Sequence, residues 1–336
     1  MSTRNPEGKH FGVVRELRNQ YAEVQRQSVP PEQMARVQAR VAEILPALRA
    51  WRERFPVMAA SRLKSTAMAC ILPFPEASAA LLLLLSQVGL LVFAVDDIAD
   101  GEIGTYADAD IFQALERFVE TAARPESHAW TGSDPASSLG AAIQDVTREL
   151  QKASGARFLP LWREHFRRMC EAHAKELRDK RHYPVHGGAP PLDEYLSVTQ
   201  YSSGGTMYFS AVLVVFGPDF PGEPLQEPLI ERALSENALA GRWINDVRGL
   251  ERERAEGKFN SLILLMAGGM PEAEAERVAV ERCGQHLETL QGVVKQLPGP
   301  LQAWGQALVT MGYFALGFYL QREFHHAEPD APERSG

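Results

Sequence analysis

Residues 79–100 read AALLLLLSQVGLLVFAVDDIAD, an apolar run from Ala79 to Val95 that ends in Asp96 and Asp97, with Asp100 one turn further on. The run has no strand-like alternation and is built from strong helix formers, so it predicts an α-helix. It is short for a membrane span, carries Ser86, Gln87 and Gly89 in its middle and leads straight into carboxylates, which argues for a helix wrapped on all sides by other helices and against a membrane span. If the helix continues through the acidic residues, Asp96 and Asp100 share one face. Three penalties then coincide: like charges one turn apart repel, an apolar setting disfavours ionised carboxylates, and the negative end of the helix dipole is the wrong place for anions. A divalent cation between the two carboxylates removes all three, and magnesium prefers such oxygen donors. Taken alone, the pattern fits either a magnesium site at the mouth of a hydrophobic cavity or a solvated acidic helix end.

Outward from this run the pattern stays helical. Proline and glycine clusters punctuate it at Pro30-Pro31, Pro73-Phe74-Pro75, 124–138, 183–191, 217–228 and 297–300, leaving roughly ten helical segments. No repeat period emerges, which excludes a solenoid. The expected fold is all-α, a single-domain antiparallel helical bundle over residues 9–326, with a disordered N-terminus at 1–8 and a disordered tail at 327–336. The net charge of −8 disfavours nucleic acid as a partner. Cys70, Cys170 and Cys283 are scattered without ligand spacing and read as reduced thiols of a cytoplasmic protein; no apolar leader opens the chain.

A second polar stretch runs Arg242-Trp243-Ile244-Asn245-Asp246-Val247-Arg248-Gly249-Leu250-Glu251-Arg252-Glu253. Asn245, Gly249 and Glu253 follow at i, i+4 and i+8, so one helical face carries two oxygen donors with a gap between them for water. Arg242 lies near the same face, and its guanidinium suits phosphate. A surface helix of mixed charge would read similarly.

Together the two stretches resemble the metal motifs of class I terpene synthases, an aspartate-rich DDxxD followed by an (N/D)Dxx(S/T)xxxE triad on an opposing helix. The order and separation fit, and the resemblance covers roughly residues 81–322. It implies an all-helical enzyme in which Asp96, Asp100, Asn245 and Glu253 ligate three Mg2+ ions, while Asp97 orients the first motif or bridges to a basic residue. Arg242, Arg252 and Arg322 are implied as diphosphate contacts, Arg322 standing where the family's C-terminal Arg-Tyr pair is expected but followed by Glu323 and Phe324. Gly249 replaces the usual Ser or Thr, as in ent-kaurene-type diterpene synthases, and no Arg follows Tyr195-Leu196 as it does in simple bacterial sesquiterpene cyclases. The substrate so implied is a prenyl or copalyl-type diphosphate. The sequence lacks a DxDD motif (Asp108-Ala109-Asp110-Ile111 comes nearest), so a separate class II cyclase would act upstream. An antiparallel homodimer is the family expectation.

Candidate cavity aromatics are Phe74, Phe93, Trp162, Tyr208, Phe209, Phe216, Trp243, Trp304 and Tyr313, with Phe93, placed just before the aspartates, foremost. Ser202-Ser203-Gly204-Gly205-Thr206 interrupts a helical pattern; a break there aims backbone carbonyls into the cavity, although Gly204 and Gly205 equally suit a packing contact. His165, Cys170, His173 and Glu176 do not share one face and read as ordinary helix residues. Rival readings are a prenyl-elongating transferase, which would carry two aspartate-rich motifs, and a non-catalytic protein that binds a hydrophobic ligand.

Overall fold

The computed structural model describes residues 29–186, 188–217 and 227–319, and every element among them is helical. Twelve α-helices follow one another: α1 (Pro31–Arg54), α2 (Leu63–Ile71), α3 (Ala79–Ala99), α4 (Asp108–Ala123), α5 (Pro135–Leu150), α6 (Leu159–His186), α7 (Leu192–Ser202), α8 (Gly205–Phe216), α9 (Glu227–Glu256), α10 (Ser261–Ala267), α11 (Glu272–Val294) and α12 (Gln302–Tyr319). This is the expected all-α bundle with two more helices than the punctuation suggests. The expected tails and Arg322 lie outside the described residues. The break placed at 183–191 begins later than expected, because α6 runs on to His186.

Helix α3 begins where Ser78 accepts a hydrogen bond from the Leu81 N–H, an ordinary N-cap. Leu82, Leu85, Val88, Leu91, Val95 and Ile98 are fully buried at spacings of three and four, so one unbroken face enters the core. Each contributes about 1.5–3 kcal/mol of apolar burial. By length and composition alone α3 could cross a membrane; here α2, α5, α6 and α8 pack around it. A second core surrounds α9, where Trp243, Ile244, Val247 and Leu250 meet Leu262, Cys283 and Leu287. Helix α9 also packs against α7, α8 and α12. Its acidic end therefore comes to face the acidic end of α3 across a cavity that neither core fills.

The chain breaks between α7 and α8 at Gly204, whose φ is +72°. A Cβ there would collide with Val92 Cγ1 and stand 2.8 Å from its Cγ2. Left-handed backbone and close approach to α3 thus both demand glycine.

Candidate active site

One cavity of about 640 Å³ opens between α2, α3, α6, α8, α9 and α12, a volume typical of small-molecule sites. Its mouth is polar. Asp96 and Asp100 reach it from α3, and Arg242, Asn245, Arg252 and Glu253 from α9. Its deeper wall includes Phe93, Tyr208, Phe209, Phe314 and the helix break at Gly204-Gly205. Sequence-predicted residues from two distant stretches thus share one space.

The two aspartates at the mouth differ from the one between them. Burial first, and then the charge of Asp100, raise the Asp96 carboxyl above its ordinary range. His173 Nδ1 stands 3.9 Å from Asp96 Oδ1. Asp100 is paired with Lys258, Nζ 2.5 Å from Oδ2; burial opposes the Lys258 charge, and Asp100 raises its pKa nonetheless. Asp97 turns out of the cavity and is 3% exposed. Burial pushes it up to about 6 although Arg62 Nη1 stands 2.7 Å away. Arg62 also lies over the Phe93 ring, 5.1 Å from its centroid. Asp97 is thus half of a buried ion pair behind the cavity wall.

On α9 the carboxylates are held by a buried network. Asp246 accepts from Tyr195 Oη at 3.0 Å and from the Ser261 N–H at 2.9 Å, and pairs with Arg242 at 2.5 Å. Asn260 donates to Glu253 Oε2 at 2.6 Å and to the Asp246 carbonyl at 2.8 Å. Arg252 stands 3.3 Å from Glu253 Oε1 and Arg242 3.7 Å from it. Burial nevertheless raises Glu253 to about 7. The expected water gap at Gly249 is instead taken by Glu253 itself: a Cβ on Gly249 would lie 2.9 Å from Glu253 Cδ and Oε1. Asn260 and Arg252 draw the carboxylate back along the helix, and glycine leaves it room.

The donor set fits a hard divalent ion. Every candidate ligand is an oxygen, which suits magnesium better than zinc. Asp96 and Glu253 carry raised pKa values in sites of incomplete compensation, the strain that a cation removes. Among the described residues no three His, Cys, Asp or Glu side chains converge on one point.

Several residues escaped the sequence reading. His173 and Glu176 line the cavity together from α6, contrary to the expectation of ordinary helix residues; Glu176 accepts from Ser202 Oγ at 2.7 Å, and burial raises its pKa. Their spacing of three residues was the available signal. Lys258 and Arg62 had none, since each acts across the fold. Of the candidate aromatics, Phe93, Tyr208 and Phe209 line the cavity and the others pack elsewhere. Trp162 Nε1 meets Met207 Sδ at 3.3 Å, and Trp304 Nε1 donates to the Phe209 carbonyl at 3.0 Å. Phe74 stacks on Phe216, Trp243 belongs to the α9 core, and Tyr313 Oη accepts from Gln291.

The chain also has relatives among known proteins. Residues 87–289 match the family model described as terpene synthase family 2, C-terminal metal binding. The (+)-eremophilene synthase of Sorangium cellulosum is 28% identical over 61% of this chain and 60% of its own length. Ent-kaurene synthase-like 1 of Ricinus communis is 37% identical over 26% of this chain and 12% of its own length. The matched region thus spans less than two thirds of these relatives. In fold, the chain resembles the linalool/nerolidol synthase of Streptomyces clavuligerus solved with 2-fluorogeranyl diphosphate. The TM-score is 0.67 at 17% identity, covering 86% of this chain and 99% of that one.

Proposed function

Because the chain belongs to the terpene synthase family, we propose that it is a magnesium-dependent class I cyclase that ionises a C20 diphosphate, of copalyl type or linear, and closes rings on the resulting cation. The observation that carries this reading is the meeting of both acidic stretches at the mouth of one cavity whose deeper wall is apolar and aromatic. Asp96, Asp100, Asn245 and Glu253 would hold the metal, with three ions as the family implies. Bound magnesium would neutralise charge developing on the departing diphosphate. Arg242, Arg252 and Lys258 would donate hydrogen bonds to the diphosphate oxygens, and Lys258 would leave Asp100 to do so. Phe93, Tyr208, Phe209 and Phe314 exclude water and offer ring faces to the cation. Three buried free thiols suit a reducing, cytoplasmic setting.

Gly249, the lack of Arg after Tyr195-Leu196, and the kaurene-type relative support a C20 substrate. A second reading, cyclisation of farnesyl diphosphate, is favoured by the longer match to eremophilene synthase. The deciding experiment offers the purified protein copalyl, geranylgeranyl and farnesyl diphosphate separately with Mg2+. Cyclic product from a C20 substrate supports the first reading and from farnesyl diphosphate alone the second; no diphosphate release from any of them refutes both.

A further inference from the structure

Helix α9 presents bare backbone to the cavity at Gly241. This glycine lies one turn from Asn245 in one direction and one turn from Asn237 in the other, so the three share a face, and all three line the cavity. By helical rise Gly241 stands about 6 Å deeper than Asn245. Glycine is a disfavoured choice in a helix interior, because it gives up more backbone freedom on folding than alanine does. Gly89 and Gly312 also line the cavity from helices, and there packing supplies the reason: a Cβ on Gly89 would stand 2.8 Å from Cys70 Sγ, and one on Gly312 would overlap Leu287 Cδ2. Gly241 has no such reason. It sits in regular helix outside the left-handed region, and a Cβ built on it would meet no atom of another described element within 4 Å. The room left by the missing side chain is therefore cavity. Arg242 does not fill it, since its guanidinium is drawn toward the mouth by Asp246 at 2.5 Å and Glu253 at 3.7 Å. On α3, Phe93 lies three residues before Asp96, about 4–5 Å deeper by the same count. An aromatic ring and a bare helix wall thus stand at similar depth below the two polar motifs. A single prenyl chain passing there would leave the recess beside α9 without partner atoms, and an unfilled recess forfeits dispersion contact. A fused-ring skeleton is broad enough to fill it.

Resting on the cyclase reading above, we infer that Gly241 sets the width of the cavity and that the substrate is a diphosphate whose hydrocarbon is already a fused bicycle. Gly241 touches no reacting atom; it determines specificity by the room it leaves. The bicycle must be supplied by a protonation-initiated cyclisation, for which this chain carries no DxDD motif.

The test uses the full chain with Mg2+. The wild type is expected to turn over copalyl diphosphate. Gly241→Val narrows the cavity and is expected to lower kcat/KM for copalyl diphosphate by about tenfold or more. Farnesyl diphosphate, measured as substrate or as competitive inhibitor, should change by less than about threefold, because a linear chain can bend past the added methyls. Affinity for inorganic pyrophosphate with Mg2+, measured by titration calorimetry, should also stay within about threefold, which separates lost width from damage at the polar mouth. Gly241→Ala is the milder variant and covers the case in which Gly241→Val does not fold. It should lower kcat/KM for copalyl diphosphate several-fold while raising the thermal unfolding midpoint, as alanine does where glycine holds ordinary helical backbone. Copalyl diphosphate left unused by a wild type that cyclises a linear substrate overturns the inference and leaves the cyclase reading intact. Equal losses on copalyl and farnesyl diphosphate overturn it too, as does a lowered midpoint in Gly241→Ala, which would give the glycine a packing role. Failure to release diphosphate from any substrate overturns the cyclase reading and this inference with it.

Discussion

Replacing Gly204 by alanine tests whether the helix break is imposed by packing against α3. Two costs can be separated. The left-handed φ of +72° costs a residue with a Cβ about 1–2 kcal/mol. The new methyl overlaps Val92, and forced overpacking of this kind costs about 1–3 kcal/mol. Gly204→Ala is therefore expected to lose about 2–5 kcal/mol. In a double-mutant cycle, Val92→Ala removes the overlap and leaves the backbone term, so the two changes should couple by about 1–3 kcal/mol with Gly204→Ala milder in the shortened background. Urea unfolding is the assay, followed by circular dichroism and tryptophan fluorescence so that coincident transitions justify two-state energies. A Gly204→Ala loss below about 0.5 kcal/mol, the level of an ordinary surface change, would refute the argument. So would a coupling energy of zero, which would leave Val92 irrelevant to the break.

Three further outcomes follow from the site. Arg62→Leu strands Asp97 as a buried, unpaired carboxylate and should cost about 3–5 kcal/mol, with much of it recovered in Arg62→Leu/Asp97→Leu; thermal unfolding of the three proteins checks this. Lys258→Met frees Asp100 from its ion pair and should tighten Mg2+ binding to the substrate-free protein several-fold in titration calorimetry, while raising the KM for the diphosphate. Burial holds Glu253 at about 7, above an ordinary glutamate. Its protonated form thus favours the metal-free fold, fully below pH about 4.5, and this contribution is lost as pH rises through about 7. Mg2+ affinity should accordingly fall below pH 7, by up to tenfold per pH unit, with protons released on binding; calorimetry in buffers of different ionisation enthalpy measures the release, and pH-independent binding would exclude Glu253 as a ligand.

The central helix, both acidic stretches and the break at Gly204 were legible because each is a local signal: a run of leucines, carboxylates at helical spacing, paired glycines. What the sequence did not disclose depends on which helix faces which. Trp162 and Phe93 look alike as aromatic residues on apolar helices, yet Trp162 is spent on core packing and Phe93 on the cavity wall. Lys258 follows the end of α9 and meets Asp100 only because α3 and α9 end at the same mouth. Arg62 finds Asp97 across the α2–α3 contact. Gly249 was legible as an absence of side chain, but its use was not: the room it leaves is taken by a carboxylate from its own helix.

Helix α9 has a consequence for how such a protein diversifies. Asn245 and Glu253 stand toward one end of the rod and Asn237 toward the other, separated by more than the 7–10 Å over which substitutions ordinarily interfere. Changes near Asn237, which also lines the cavity, can therefore alter its deep end without disturbing the polar end, and their effects should add to those of changes there. Under the proposed cyclase function, a single stiff helix would let the deep end of the cavity vary while the polar mouth stays as it is.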